Sequence, residues 1–548
     1  MNRSLAPSLS LLLLVLMGGL APTACDDAGS EETRFRFLVY NQTDFGLPDT
    51  FPSLKDVRIS VVDAADGSLI ERFSFSADPG IRHSLDSLPQ GESLNFFVEG
   101  LDADGNVLAS GGSRSLDAAE TSQGFSEFLI YVLRIDEFAK VRAPRADESG
   151  MVSVNDSLIG GGGRAGHSAV ALANGKVLII GGADLVHPGE GLSGSDIATI
   201  HDTVLVYDPL RQTFAPLPSS SGLALRLSAP RVYHTATVLA DGRVLVAGGV
   251  SSAGEALTTL RSVDVLQPNG RGAFDLVPEQ PMALPRAHHT ATLRSDGAVL
   301  IAGGSHLEGN TEAIQSSAEL FDSSANTFYP TQPMSTQRTE HTATLLVDQK
   351  SVLIAGGRDA TGPLASTEMF WVDPQNRLVF QDTPAMAKAR FGHQSLRLAA
   401  SDGRTVVFAG GFVADADGLG VSPTASVELL DTFDGRFLAE KTMERPRAYF
   451  GLIKLARGMD VLAVGGLTPT VGADAGLSDG EVLRFSDAGD DFTSTLLSSS
   501  LSSARVRADA TLLQNGMVLL SGGVADGTSL YTAELFNPGL PEGNVVRP

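Results

Sequence analysis

Residues 231–249 read RVYHTATVLADGRVLVAGG. The run from His234 to Leu239 is a short β-strand whose small Ala and Thr residues suit a crowded edge. Asp241-Gly242 follows, and Asp-Gly supplies the positive φ angles that a tight hairpin needs. The next run, Val244-Leu245-Val246-Ala247, is apolar at every position, as expected of a strand covered on both faces. Gly248-Gly249 closes the block, where backbones pass too near for side chains.

The same block recurs across the chain: RAGHSAVALANGKVLIIGG from 164, RAHHTATLRSDGAVLIAGG from 286, RTEHTATLLVDQKSVLIAGG from 338, RFGHQSLRLAASDGRTVVFAGG from 390, RAYFGLIKLARGMDVLAVGG from 447 and RVRADATLLQNGMVLLSGG from 505. The Gly-Gly pairs begin at 181, 248, 303, 356, 410, 465 and 522, a period in the fifties after a first interval of 67. Each block is followed by a third strand, such as Val263–Leu266 or Ala318–Phe321, and then by an aromatic anchor: Phe214, Phe274, Phe328, Phe380, Phe437 or Phe492. Self-similarity at this period, with four short strands per unit, predicts a propeller closed into a ring. No aromatic anchor follows Phe536, so residues near Met151 to Leu158 are expected to complete the last blade.

Taken together, residues from about 150 to 540 resemble the kelch-repeat propellers, in particular bacterial ones related to the central domain of galactose oxidase. The resemblance implies an all-β, seven-bladed kelch-type β-propeller over 151–548. It also raises a copper oxidase, whose cofactor in that family is a tyrosine cross-linked to a cysteine. Cys25 is the only cysteine of the chain, so that cofactor cannot form and the likeness does not carry the activity.

Ahead of the repeats, residues 34–140 read as short strands between turns such as Asp66-Gly67 and Asp104-Gly105. They are expected to form a small immunoglobulin-like β-sandwich, followed by a linker over 141–150. The N-terminus reads as an export signal over 1–24: Arg3, an apolar core from Leu9 to Leu16 too short to span a bilayer, then small residues. Pro22-Thr23-Ala24-Cys25 resembles a lipobox, with Pro22 where Leu is usual, and marks Cys25 for lipid attachment. Residues 25–33 read as an acidic tether. The expected location is the cell envelope, as a lipoprotein held by its N-terminal lipid alone. The formal net charge of −24 repels phosphate backbones and excludes nucleic acid as a partner.

Two polar features keep the period. An arginine opens every block: Arg164, Arg231, Arg286, Arg338, Arg390, Arg447 and Arg505. A ring of them at a channel mouth could hold an anion. Six blades also carry an acid in the third strand (Asp264, Glu319, Glu368, Glu428, Glu481, Glu534), which favours pairing; the first has Leu205 there, so Arg164 is expected to lack that partner. A histidine stands three residues on, at His167, His234, His289, His341 and His393, replaced by Phe450 and Ala508 in the last two copies. One per blade is too dispersed to share a metal, and hydrogen bonding within the scaffold is preferred. His288-His289 is the only adjacent pair, expected to point to opposite faces.

Other motifs dissolve on inspection. Gly161 to Gly166 matches G-x-G-x-x-G but leads into a strand, not a helix. Asp102 to Asn106 and Asp415 to Gly418 lack the remaining ligands of a calcium loop and read as turns. Neither G-x-S-x-G, H-E-x-x-H nor a P-loop is present. The long segments 183–202, 216–230 and 412–425 lie where propeller loops bind ligands. The regularity of the blocks favours a monomeric binding or scaffold protein for an envelope protein or glycan, with no cofactor and no catalysis. A carbohydrate-active lyase, epimerase or hydrolase at the channel mouth is the second reading.

Overall fold

The computed structural model describes residues 35–41, 55–63, 69–76, 94–112, 126–146, 152–156 and 162–539, the last without 186–196 and a few short loop positions. The export signal, Cys25 and the acidic tether lie outside the described residues. Among the described residues every named element is a β-strand.

Seven antiparallel sheets follow one another along the repeats, each in the order inner, second, third, outer strand. In the second blade these are Thr235–Val238, Val244–Ala247, Val263–Pro268 and Phe274–Pro278. Each inner strand neighbours the next, and Asp509–Leu512 of the seventh blade neighbours Ser168–Ala171 of the first, so the ring is closed. The second strand is buried throughout in all seven blades. Its alternate residues serve opposite seams: Leu178 and Ile180 pack toward the second blade, Val177 and Ile179 toward the seventh. The core is thus seven separate seams, one between each pair of blades. Outer-strand aromatics lie against third-strand aromatics, as in Phe321–Phe328 at 5.0 Å and Phe485–Phe492 at 5.1 Å.

Ring closure departs from the sequence expectation. The fourth strand of the seventh blade is Glu137–Lys140, paired antiparallel with Ala533–Asn537. Phe138 stands 5.0 Å from Phe536 and fills the aromatic position that residues 151–158 cannot supply. Residues Val152–Asp156 pair instead with Arg142–Ala146, so the expected linker over 141–150 is half of a hairpin and the propeller begins at 137.

The preceding domain also differs. Its described strands form one six-stranded sheet in the order Phe35–Asn41, Ser126–Arg134, Val107–Gly112, Leu94–Leu101, Asp56–Asp63, Leu69–Ser76, with the first pair parallel. Among the described residues no second sheet faces it, so the immunoglobulin-like sandwich is not what the pairing shows. Asp56–Asp63 is hydrogen-bonded on both sides, which keeps both hairpins in one sheet. Asp102 accepts the amides of Asp104 and Asn106, making that acidic segment a hairpin turn. Asn537 ties sheet to propeller: its amide nitrogen donates to the Ser110 carbonyl at 3.2 Å, and its carbonyl accepts the Asp136 amide at 2.7 Å.

A second tier rises on one face. In every blade the residue after the block's arginine bridges the first residue of a small hairpin between second and third strands, for example Val232 with Val250 and Thr339 with Arg358. These hairpins crown the mouth into which the arginine segments lead.

Candidate functional site

The seven arginines are the largest fully buried side chains among the described residues. In each blade Nη1 donates to the carbonyl of the first glycine of its own Gly-Gly pair, at 2.6–2.9 Å. In six blades the guanidinium also meets the third-strand acid at 2.6–3.0 Å. The acid in turn accepts an amide of the incoming loop, as Glu319 does from Ala283 at 2.8 Å. Arg164, which faces no such acid, donates to the Gly181 carbonyl and to the Thr203 hydroxyl. The ring is a structural lattice, out of reach of solvent.

The histidines are seam spacers. All five are buried, and those at 167, 289 and 341 are pushed down to about 3, by burial first and then by the neighbouring arginine, so they are neutral. Nε2 of His289, His341 and His393 pairs with Thr235, Thr290 and Thr342 of the preceding blade at 2.9–3.0 Å; His167 pairs with Ser521 at 2.8 Å. Their rings fill the space beside the preceding blade's glycine: a Cβ on Gly248 would meet His289 at 2.9 Å. Phe450 takes the same place against Gly410. Among the described residues no group of three His, Cys, Asp or Glu side chains could hold a metal ion.

What converges at the mouth is the residue between them, two after each arginine: Gly166, Tyr233, His288, Glu340, Gly392, Tyr449 and Arg507. All seven have positive φ, between 50° and 60°. Their backbones form a ring: each amide from Tyr233 to Arg507 donates to the carbonyl of the equivalent residue one blade back, at 2.9–3.3 Å. The left-handed conformation costs a non-glycine residue about 1 kcal/mol or more. Glycine would be free at every position, yet five carry large polar side chains.

Those side chains make two stacks, and Arg507, whose guanidinium also lies 5.4 Å over the Tyr233 ring, touches both. Tyr233 lies over Gly166, where a Cβ would meet its ring at 2.7 Å, and His288 stacks on Tyr233 at 4.2 Å. Tyr449 lies over Gly392 in the same way, and the Arg507 guanidinium sits 3.6 Å over the Tyr449 ring. Between the stacks stands Glu340. It accepts the Tyr449 hydroxyl at 2.7 Å and meets Arg358 at 3.6 Å, Arg507 at 3.7 Å and His288 at 4.0 Å. Arg358, from the crown, is clamped by Glu312 at 2.9 Å. Burial alone would raise the Glu340 carboxyl, but Arg507, His288, Arg358 and the Tyr449 hydroxyl hold it below its ordinary value. Burial pushes His288 down to about 4 and raises Tyr449. The site thus offers an ionised carboxylate, a neutral imidazole, two phenols and two guanidinium groups, half-buried.

None of these five was singled out from the sequence for the site, although His288 was noted as half of a pair. It and His289 do diverge, because His288 lies before the strand in a left-handed turn, not through strand alternation. A signal was present: this position runs Gly, Tyr, His, Glu, Gly, Tyr, Arg from copy to copy, while the arginine two residues before it repeats in all seven. The regularity read as favouring binding over catalysis breaks here.

No protein-family model and no curated protein matches the chain. Among solved structures, one described as the structure of YjhT is similar with a TM-score of 0.44 and 14% identity, over 61% of this chain and 97% of that one. A fungal alcohol oxidase of the AA5 family, in complex with copper, is similar with a TM-score of 0.49 and 16% identity, over 68% and 74%. The residues here do not fit a tyrosine–cysteine copper centre: Tyr449 is committed to Glu340 and lies under Arg507, and the single cysteine is Cys25. By its own strand order and closed ring of inner strands, the chain is an all-β propeller protein.

Proposed function

We propose that this protein is an exported lipoprotein, anchored through Cys25, whose propeller binds a glycan of the cell envelope or its surroundings at the axial mouth. One observation carries the reading: Tyr233, His288, Glu340, Tyr449 and Arg507 are kept in left-handed positions and converge on one half-buried spot. Strain retained around a polar cluster is a mark of function, because a structural ring would relax to glycine. Donors and acceptors gathered at one spot suit the hydroxyls of a sugar, and the acidic surface disfavours nucleic acid.

The same cluster favours a second reading, a carbohydrate-active lyase, epimerase or hydrolase, since Glu340 is ionised beside a neutral imidazole and a phenol. A glycan panel read by thermal shift on the wild-type protein and on Glu340→Gln and Tyr449→Phe tests both. A ligand that raises Tm in the wild type and not in the variants supports the site. Conversion of that ligand, followed by NMR, would replace binding with catalysis. Shifts that survive both substitutions would move the site elsewhere.

A further inference from the structure

We infer that the axial mouth is held shut by one of its own side chains: the Arg507 guanidinium occupies a cation cage made by Tyr449, Tyr233 and Glu340, and a ligand enters only when it leaves. That the cage shuts a binding mouth rests on the function proposed above; the cage itself does not. Arg507 stands on the seventh blade, Tyr449 on the sixth, Tyr233 on the second and Glu340 on the fourth. The guanidinium lies 3.6 Å over the Tyr449 ring, 5.4 Å over the Tyr233 ring and 3.7 Å from the Glu340 carboxylate. A side chain with partners on both sides of its own blade and on the opposite side of the ring spans the mouth.

Each contact suits a planar cation. Both ring distances fall within the ~6 Å at which an aromatic face attracts a cation, and a guanidinium can lie flat against the ring. Ionised Glu340 supplies the opposite charge. Burial alone would lower the Arg507 guanidinium, but Tyr449, Tyr233 and Glu340 hold it above its ordinary value. The seam arginines are fully buried and gripped by backbone carbonyls and strand acids. Arg507 is held by two ring faces, the Tyr449 hydroxyl and a carboxylate, and its side chain keeps 25% of its surface. It can withdraw without opening a seam. Nor does the backbone need it: Gly166 and Gly392 stand at the same position of the first and fifth blades with φ of 60°, against 56° for Arg507.

Arg507→Gly therefore keeps the turn and empties the cage. Calorimetric titration of the purified wild type and variant with methylguanidinium chloride tests this, with urea as the neutral planar match and sodium chloride as the salt control. Expected is binding of methylguanidinium to the variant about tenfold or more tighter than to the wild type, with urea and sodium weaker than methylguanidinium. Should that variant not fold, Arg507→Ala vacates the same space. Equal binding to both proteins, urea matching methylguanidinium, or no binding to the variant overturns the cage. A glycan panel on the same two proteins separates this from the functional reading. A sugar that binds the variant about fivefold or more tighter than the wild type supports the plug, since removing it frees the competent mouth. A sugar that binds both alike overturns the plug and leaves the glycan reading standing. No sugar bound by either protein overturns the glycan reading and leaves the cage to the methylguanidinium result.

Discussion

The hydroxyl of Tyr449, on the sixth blade, donates to Glu340, on the fourth, at 2.7 Å. It passes over the fifth blade because Gly392 presents no side chain there. A hydrogen bond that skips a blade belongs to the mouth and not to the seams. A hydrogen bond to a charged partner contributes about 1.5–3 kcal/mol when buried, and this one is partly exposed. A double-mutant cycle of Tyr449→Phe and Glu340→Gln is expected to show a coupling of about 1 kcal/mol in urea denaturation. Additive effects would remove the bond from the account.

Gly392 should be intolerant for two reasons. Its φ is +60°, and a Cβ would meet the Tyr449 ring at 2.7 Å. Gly392→Ala should therefore cost more than the ~1–2 kcal/mol of the left-handed backbone alone and should disturb Tyr449. Gly418, with φ +70° and open space around it, is the control that carries the backbone cost only. Equal losses of stability, with unchanged tyrosine fluorescence, would show that the ring contact is unimportant.

The seam pairs make an asymmetric prediction. Arg286 and Glu319 are buried and 3.0 Å apart. Removing one partner strands a buried charge, so Glu319→Ala is expected to cost about 3–5 kcal/mol. Replacing both by apolar residues, as in Arg286→Met with Glu319→Leu, should cost less than the single change. Guanidinium denaturation of the three proteins decides it, and a double variant worse than the single would point to the glycine and loop hydrogen bonds as the greater contribution.

Acid should loosen the ring. His167, His289 and His341 are held at about 3, against 6.5 ordinarily, by burial. Between those values the unfolded chain binds more protons, so their contribution is full above 6.5 and drains as pH falls, by about 1.4 kcal/mol per pH unit per histidine. Asp509 acts in the opposite sense: burial raises it to about 6 from 3.8, so its contribution is present below 3.8 and lost as pH rises through 6. Three histidines outweigh one aspartate, and Tm is expected to fall from pH 7 to pH 5. His289→Phe, which copies the Phe450 seam, should flatten that fall. A Tm that rises on acidification would contradict the neutral seams.

Closure by Glu137–Lys140 predicts that Phe138→Ala weakens the seventh blade. The ring contact with Phe536 at 5.0 Å and the burial behind it suggest a loss of about 3 kcal/mol. Hydrogen exchange should then rise first in Ala533–Asn537. If residues 151–158 closed the ring instead, the same substitution would leave that strand protected.

Much of the fold was legible because the repeat states it seven times. Asn-Gly and Asp-Gly turns, wholly apolar second strands and paired glycines each have a local physical cause, and the ring follows from their count. The pairing of arginine with acid was also legible, since both keep the same period. The closing strand was not. Strand runs can be read from composition, but a hydrogen-bond partner about four hundred residues away is chosen by which segment brings an aromatic to Phe536, and Phe138 sits beyond the boundary that composition drew. The N-terminal sheet failed for the same reason: alternation identifies strands without saying which edges meet.

The axial cluster marks the division most clearly. By itself the sequence determined the repeat, the pairing of Arg with acid at one period, and the absence of a second cysteine, because each depends on residues within one repeat or on composition alone. Only the tertiary structure decided that Tyr233, His288, Glu340, Tyr449 and Arg507 share a site. Successive members lie 52 to 109 residues apart in sequence, and each is held in a left-handed turn that no local propensity favours. It is the closure of seven blades around one axis that brings those turns edge to edge.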